Sequence, residues 1–169
     1  MNIVLTGFMA SGKTEISKAI ASISRYERID TDDMIEKAAK MTINEIFAKY
    51  GEERFRKMER EAVKEAASMD NTVIATGGGA VLDASNIEEL RKTGVIFNLA
   101  PDFEVIADRI ESASATRPLL KNQSMDDIKE RFIKRQPFYD NCDYKIHVIK
   151  GRSSKSYAME ILNIMSEKE

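Results

Sequence analysis

Gly7-Phe8-Met9-Ala10-Ser11-Gly12-Lys13-Thr14 is the stretch from which the rest of this 169-residue chain is read. It fits the pattern G-x-x-x-x-G-K-[ST] at every defined position. The flanks fit as well. The apolar run Asn2–Thr6 enters it, and Ile16, Ala19, Ile20 and Ile23 follow at the three-to-four spacing of an amphipathic helix. Glycines at 7 and 12 let the backbone turn tightly, so that successive N–H groups converge on an anion. The positive end of the following helix adds to that field. In such a loop Lys13 reaches the β- and γ-phosphates of a nucleoside triphosphate, and the Thr14 hydroxyl ligates the metal that bridges them.

Outward from this loop, five short apolar runs alternate with helical patterns: Asn2–Thr6, Tyr26–Ile29, Thr72–Thr76, Val95–Leu99 and Tyr144–Ile149. That alternation predicts an α/β fold of three layers, α/β/α, around a five-stranded parallel sheet. The second run is interrupted by Glu27 and Arg28 and reads as an edge strand. Thr42-Ile43-Asn44-Glu45 is a capping box for a short helix that Gly51 ends, and a longer helix from Glu52 to Ser68 turns Phe55, Met58, Ala62, Val63 and Ala66 inward. Ser85-Asn86-Ile87-Glu88 is a second capping box, opening a helix that Gly94 closes. Pro101 and Asp102 start a helix ending near Ile110, Glu111–Met125 reads as a loop, and Asp126–Gln136 is a helix stopped by Pro137. Ser153–Met165 is a last amphipathic helix with Tyr157, Ile161, Leu162 and Met165 inward.

The chain is long enough for one domain with its own core. At 43% hydrophobic and 32% charged residues its composition is that of an ordinary globular protein. A formal net charge of −2 argues against a nucleic-acid partner gripped through phosphates. Cys142 is alone, which excludes an internal disulfide, and the single histidine, His147, sits in the alternating run Tyr144–Ile149. Both read as structural residues rather than as a Cys/His catalytic pair. No signal peptide or membrane span is expected, so the chain is expected to be soluble and cytoplasmic, with a monomer as the default state.

Phosphoryl transfer needs carboxylates near the metal and the acceptor. The run Thr72–Thr76 ends without one, which leaves Asp30 and Asp32 of Ile29-Asp30-Thr31-Asp32-Asp33 at the carboxyl edge of the sheet. Two residues apart in an extended segment they would point the same way, with Asp33 capping the next helix. Gly77-Gly78-Gly79 follows a strand directly, and three glycines in a row cost enough backbone entropy to imply a return. A side-chain-free wall beside the γ-phosphate or the acceptor is one such return. Arg56 alone reads as a solvated residue pairing with Glu52 at i,i+4. Arg117, in a polar loop, could close over the transferring group.

Taken in order, these residues resemble the shikimate kinases: Gly7–Thr14, Asp30-Thr31-Asp32, Phe55-Arg56 with Glu59, Gly77-Gly78-Gly79-Ala80-Val81, Arg117-Pro118-Leu119-Leu120, and Arg135 with Pro137 and Tyr139. The resemblance implies a P-loop kinase with an acceptor-binding helical insertion at about residues 32–60 and a lid at about 111–125. It implies transfer of phosphate from ATP, with magnesium, to the 3-hydroxyl of shikimate. Asp32 would hold the acceptor hydroxyls and orient or deprotonate the attacking one. Asp30 would hold the metal through water beside Thr14. Arg56 and Arg135 would fork onto the acceptor carboxylate, and Gly77, Gly78 and Gly79 would border the same ring. Ala10, Ser11, Gly12, Lys13, Thr14 and Glu15 would cradle the nucleotide, Arg109 would lie against the adenine, and Arg117 would come down with the lid.

The chain departs from the family's usual glycine at Ala10, in the polar segment Ser24–Arg28, and in the loop Lys150–Ser153. Gluconate or a nucleoside monophosphate remains an alternative acceptor on the same fold. A GTPase switch lacks its Asn-Lys-x-Asp guanine motif here, and a silent binding module would be expected to have lost Lys13 or Asp32.

Overall fold

The computed structural model describes residues 1–113 and 123–168. Five strands, β1 (Asn2–Thr6), β2 (Glu27–Asp30), β3 (Thr72–Ala75), β4 (Gly94–Pro101) and β5 (Tyr144–Val148), form one parallel sheet in the order β2-β3-β1-β4-β5. The interrupted second run is the edge strand, as its polarity requires. Strand β1 lies at the centre and is buried on both faces, so it reads as an unbroken apolar run rather than an alternating one. Ile3 and Leu5 face one layer and Val4 the other.

Helices α1 (Lys13–Ile23) and α7 (Ser154–Ser166) cover the first face, with Ile16, Ile20, Tyr157 and Ile161 packed on Ile3, Leu5 and Phe97. Ile23, the last residue of α1, is exposed instead of inward. The second face is covered by the C-terminal half of α3 (Ile43–Ala67), by α4 (Ala84–Thr93) and α5 (Phe103–Ala113), and by α6 (Met125–Tyr139). Helix α2 (Thr31–Ala39) and the start of α3 enclose a small core of their own around Ile35, Ile46 and Phe55.

Thr42 and Glu45 form the expected capping box, and Gly51 breaks α3 with a φ of 81°. Other local expectations fail. Pro101 ends β4 instead of starting a helix, and α5 begins at Phe103. Helix α4 is capped by Asp83, whose carboxylate accepts from the Ser85 amide (3.0 Å) and the Ser85 hydroxyl (2.6 Å), so Ser85 is inside the helix. Helix α5 runs on past Ile110 to Ala113. Helix α6 runs through Pro137 to Tyr139, because a proline so near the end removes only one ladder bond, and Asp140 N–H still donates to the Gln136 carbonyl (3.2 Å).

Candidate active site

Strands β2, β3 and β1 end side by side, and the segments leaving β1 and β2 line a cleft of about 960 Å³ with Ala10, Asp32, Arg56, Arg109, Arg131 and Arg135 among its walls. On its β1 side the loop 7–14 folds as its pattern predicts. Gly12 caps α1 with a φ of 106° and no side-chain acceptor, which leaves the first amides of the helix to a ligand. Ala10 also adopts positive φ, 58°, the left-handed conformation that favours glycine. The Lys13 ammonium donates to the Gly7 (2.5 Å) and Phe8 (3.0 Å) carbonyls. Burial lowers its pKa to about 8, against the pull of Asp32 and Asp30. Ser11 Oγ is buried with no hydrogen-bond partner among the described residues, while Thr14 and Glu15 face outward.

Arg109, from α5, donates to the Ala10 carbonyl (2.8 Å) and so lies against the loop. A second cleft of about 620 Å³ lies between it and Lys150-Gly151, with Val105 and Asp108 on the same wall. Arg152 is engaged elsewhere. It bonds Glu160 (2.6 Å) and Ser156 (2.9 Å) and stacks on Tyr157 (4.1 Å).

The acceptor side is assembled on Gly77-Gly78-Gly79, the turn that leaves β3. A Cβ on Gly77 would come within 2.5 Å of Asp32 Oδ1, and one on Gly79 within 2.6 Å of Arg56 Nη1. At Gly78 the nearest atom to such a Cβ is Arg135 Nη1, 3.6 Å away. Each glycine therefore lies beneath one of the three side chains that the resemblance assigns to the acceptor. No larger residue at 77 or 79 could be added without displacing its partner.

Asp32 sits in the first turn of α2, not in extended chain. Asp30 is the cap of that helix, accepting the Asp32 (2.9 Å) and Asp33 (3.4 Å) amides, so Asp33 is not the cap. Both aspartates lie above the ordinary carboxylate range through burial. In Asp30 the shift is reinforced by Asp33 and opposed by those two amides and Arg28. In Asp32 burial, helped by Asp30 and Glu59 and resisted by Lys13, pushes the pKa to about 6, and Oδ1 has no hydrogen-bond partner among the described residues.

Arg56 does reach Glu52 (3.5 Å), as its spacing predicts, but its stronger bond is to Glu59 (2.9 Å), which is only 1% exposed. Burial raises the Glu59 pKa and Arg56 opposes the shift. Arg135 lies over the Phe8 ring (5.9 Å), which ties the acceptor side to the nucleotide loop. Tyr139, one turn on, donates to the Gly78 carbonyl (2.6 Å) and holds the glycine wall against α6.

Glu59 and Tyr139 belong to the resemblance, but only the fold gives them roles. The i,i+3 spacing of Arg56 and Glu59 was the available signal for the first; none marked the second. Arg117 and most of the predicted lid lie outside the described residues. Cys142 and His147 do not form a site: the histidine is on the exposed side of β5, and the thiol is raised in pKa by burial. No group of three or more His, Cys, Asp or Glu able to hold a metal occurs among the described residues, and none of the described helices is long and apolar enough to cross a membrane.

A family model for shikimate kinase matches residues 9–166. Over 162 residues, 95% of this chain and 94% of the relative, the sequence is 50% identical to a shikimate kinase of Caldanaerobacter subterraneus subsp. tengcongensis. It is 49% identical over 148 residues to one from Thermoanaerobacter pseudethanolicus, covering 87% of this chain and 86% of the relative. The fold superposes with a TM-score of 0.88 on the shikimate kinase from Acinetobacter baumannii in complex with shikimate, at 32% identity, covering 99% of this chain and 94% of the other.

Proposed function

The chain belongs to the shikimate kinase family and transfers the terminal phosphoryl group of ATP to the 3-hydroxyl of shikimate, and from that premise we propose how its residues divide the work. The observation that carries the division is the glycine wall, with Asp32, Arg135 and Arg56 each laid against one of its three residues. Two guanidinium groups and a carboxylate facing one side-chain-free surface suit a flat, hydroxylated ring bearing a carboxylate. Arg56 and Arg135 bind that carboxylate, and Glu59 holds the Arg56 fork in place. Asp32 Oδ1 accepts the hydrogen bond of the attacking hydroxyl, filling its own vacant partnership.

As the new O–P bond forms and the bond to the ADP oxygen breaks, the hydroxyl proton passes to Asp32. Lys13 leaves its two carbonyls for the phosphate oxygens, where its charge is needed most in the transition state. Amides 10–15 bind the phosphates, Arg109 and the wall at Lys150-Gly151 hold the base, and Arg117 closes from the lid at about 111–125 to exclude water.

Magnesium fits the residues present. Thr14 is exposed at the start of α1, and Asp30 Oδ2 is free of the helix cap, 3.4 Å from Arg28. The lack of a protein cage among the described residues suits a cation that arrives with phosphate oxygens and water. Bound there, the ion would neutralise charge on the β- and γ-phosphates. A single domain with its acceptor-binding insertion at about 32–60, a monomeric state and a cytoplasmic location complete the proposal. The test is ADP release with ATP and magnesium, comparing shikimate, gluconate and nucleoside monophosphates. Turnover confined to shikimate supports the assignment of the wall; faster turnover of another acceptor overturns it.

A further inference from the structure

The cleft holds one more cation than the proposed division of labour uses. Arg131 precedes Arg135 by four residues on α6, so the two lie on one face of the helix, and both line the acceptor cleft. The arginines around it are already engaged. Arg56 is bound by Glu52 and Glu59, and Arg109 by the Ala10 carbonyl. The acid on the same helix face as Arg131, Asp127 at i−4, forms no ion pair with it, and Glu130 is taken by Lys134 (2.8 Å). Arg131 is half-buried and forms no ion pair among the described residues. A half-buried guanidinium with no ion pair among the described residues adds positive field to the α6 wall of a cleft whose opposite side carries Asp32, Glu36 and Glu52.

We propose that Arg131 is an accessory recognition residue for the anionic acceptor, drawing its carboxylate toward Arg135 and weighting the cleft against uncharged polyols. This rests on the acceptor assignment of the cleft made above. Its contribution is long-range and partly screened, so it enters affinity and association, not the chemical step.

Calorimetric titration of shikimate into wild type, R131Q, R131K and R135Q, at about 20 mM and about 300 mM salt, tests it, since the Debye length falls several-fold across that range. R131Q is expected to raise the shikimate Kd about five-fold at low salt, with the gap closing below about two-fold at high salt and R131K restoring most of the loss. In steady state its effect should fall on KM, with kcat changing far less. An R131Q Kd equal to wild type at low salt, while R135Q loses binding, overturns the inference and leaves the acceptor site standing. If neither variant weakens shikimate, the acceptor assignment itself falls. A Kd increase of the same size at both salts contradicts the electrostatic role and makes Arg131 a packing residue.

Discussion

The two halves of the cleft are built by opposite means. The nucleotide half is backbone: eight consecutive residues, 7–14, bend so that amides and a helix end face a phosphate, and one side chain, Lys13, adds charge. The acceptor half is side chains from three helices, α2, α3 and α6, brought onto a turn that contributes none of its own. A backbone site can be written in one stretch of sequence, since its geometry is local. An assembled site exists only once the sheet order has placed β2, β3 and β1 next to each other. The consequence is a difference in how each half fails. Damage to the first should strike the chemistry, whereas damage to the second should strike recognition of one substrate.

The largest expected effect sharpens the first half of that contrast. Lys13→Ala should lower kcat by about 10³-fold or more, because transition-state charge on the phosphoryl oxygens loses its main protein partner. Single-turnover measurement of ADP formation checks this, and turnover near wild type would remove the loop from the chemistry.

On the acceptor side, Gly79→Ala adds one methyl, at a backbone conformation that alanine tolerates (φ −96°), but within 2.6 Å of the Arg56 guanidinium. The guanidinium must move off the wall, so the shikimate KM should rise about ten-fold while the melting temperature shifts by no more than about 2 °C. A large loss of stability instead would mean that the wall is structural.

Asp32 joins the halves, since it faces Lys13 as well as the acceptor, and pH reads it. Its pKa of about 6 should set an acid limb in kcat/KM, and Lys13 near 8 an alkaline one. The folded-state pKa lies above the ordinary 3.8, so folding favours the protonated form. That preference is fully present below pH about 4 and is lost as pH rises through about 6. Asp32→Asn, which keeps the shape without the charge, should therefore abolish most activity yet stabilise the fold at pH 7.5 by about 1–2 kcal/mol, after allowance for solvent screening, with the gain vanishing near pH 4. Thermal melts at the two pH values decide it.

The smallest effect belongs to Ala10. Relief of a left-handed alanine is worth about 1 kcal/mol, but glycine returns about 0.5–1 kcal/mol of that in chain entropy. Ala10→Gly should leave melting within about 2 °C of wild type, and a larger shift would show that the methyl packs.

The same contrast governs what could be read in advance. Five strands, the edge position of β2, the Thr42 capping box and the break at Gly51 all follow from local pattern, and all are present. Choices among neighbouring residues of one type were not legible. Any of Asp30, Asp32 and Asp33 can cap a helix, and only the direction in which β2 ends selects Asp30. Ser85 and Asp83 posed the same ambiguity at α4, and the aspartate wins by accepting from both the amide and the hydroxyl of Ser85. Pro137 looked like a stop signal, yet its last-turn position lets α6 carry Tyr139 to the Gly78 carbonyl. Arg56 was legible only through resemblance, because its pairing with Glu52 is real and is what a solvated helix face would show. The glycine wall and its three partners are contacts at long sequence separation, which no local pattern encodes.

Separate calorimetric titrations of shikimate and of ATP into Arg56→Ala test the division of the cleft most directly. The predicted result is a shikimate Kd raised about ten-fold or more with the ATP Kd within about two-fold of wild type, since Arg56 lies against Gly79 of the acceptor wall and otherwise pairs with Glu52 and Glu59 of its own helix. A weakened ATP Kd with shikimate binding unchanged would put Arg56 on the nucleotide side and contradict the account.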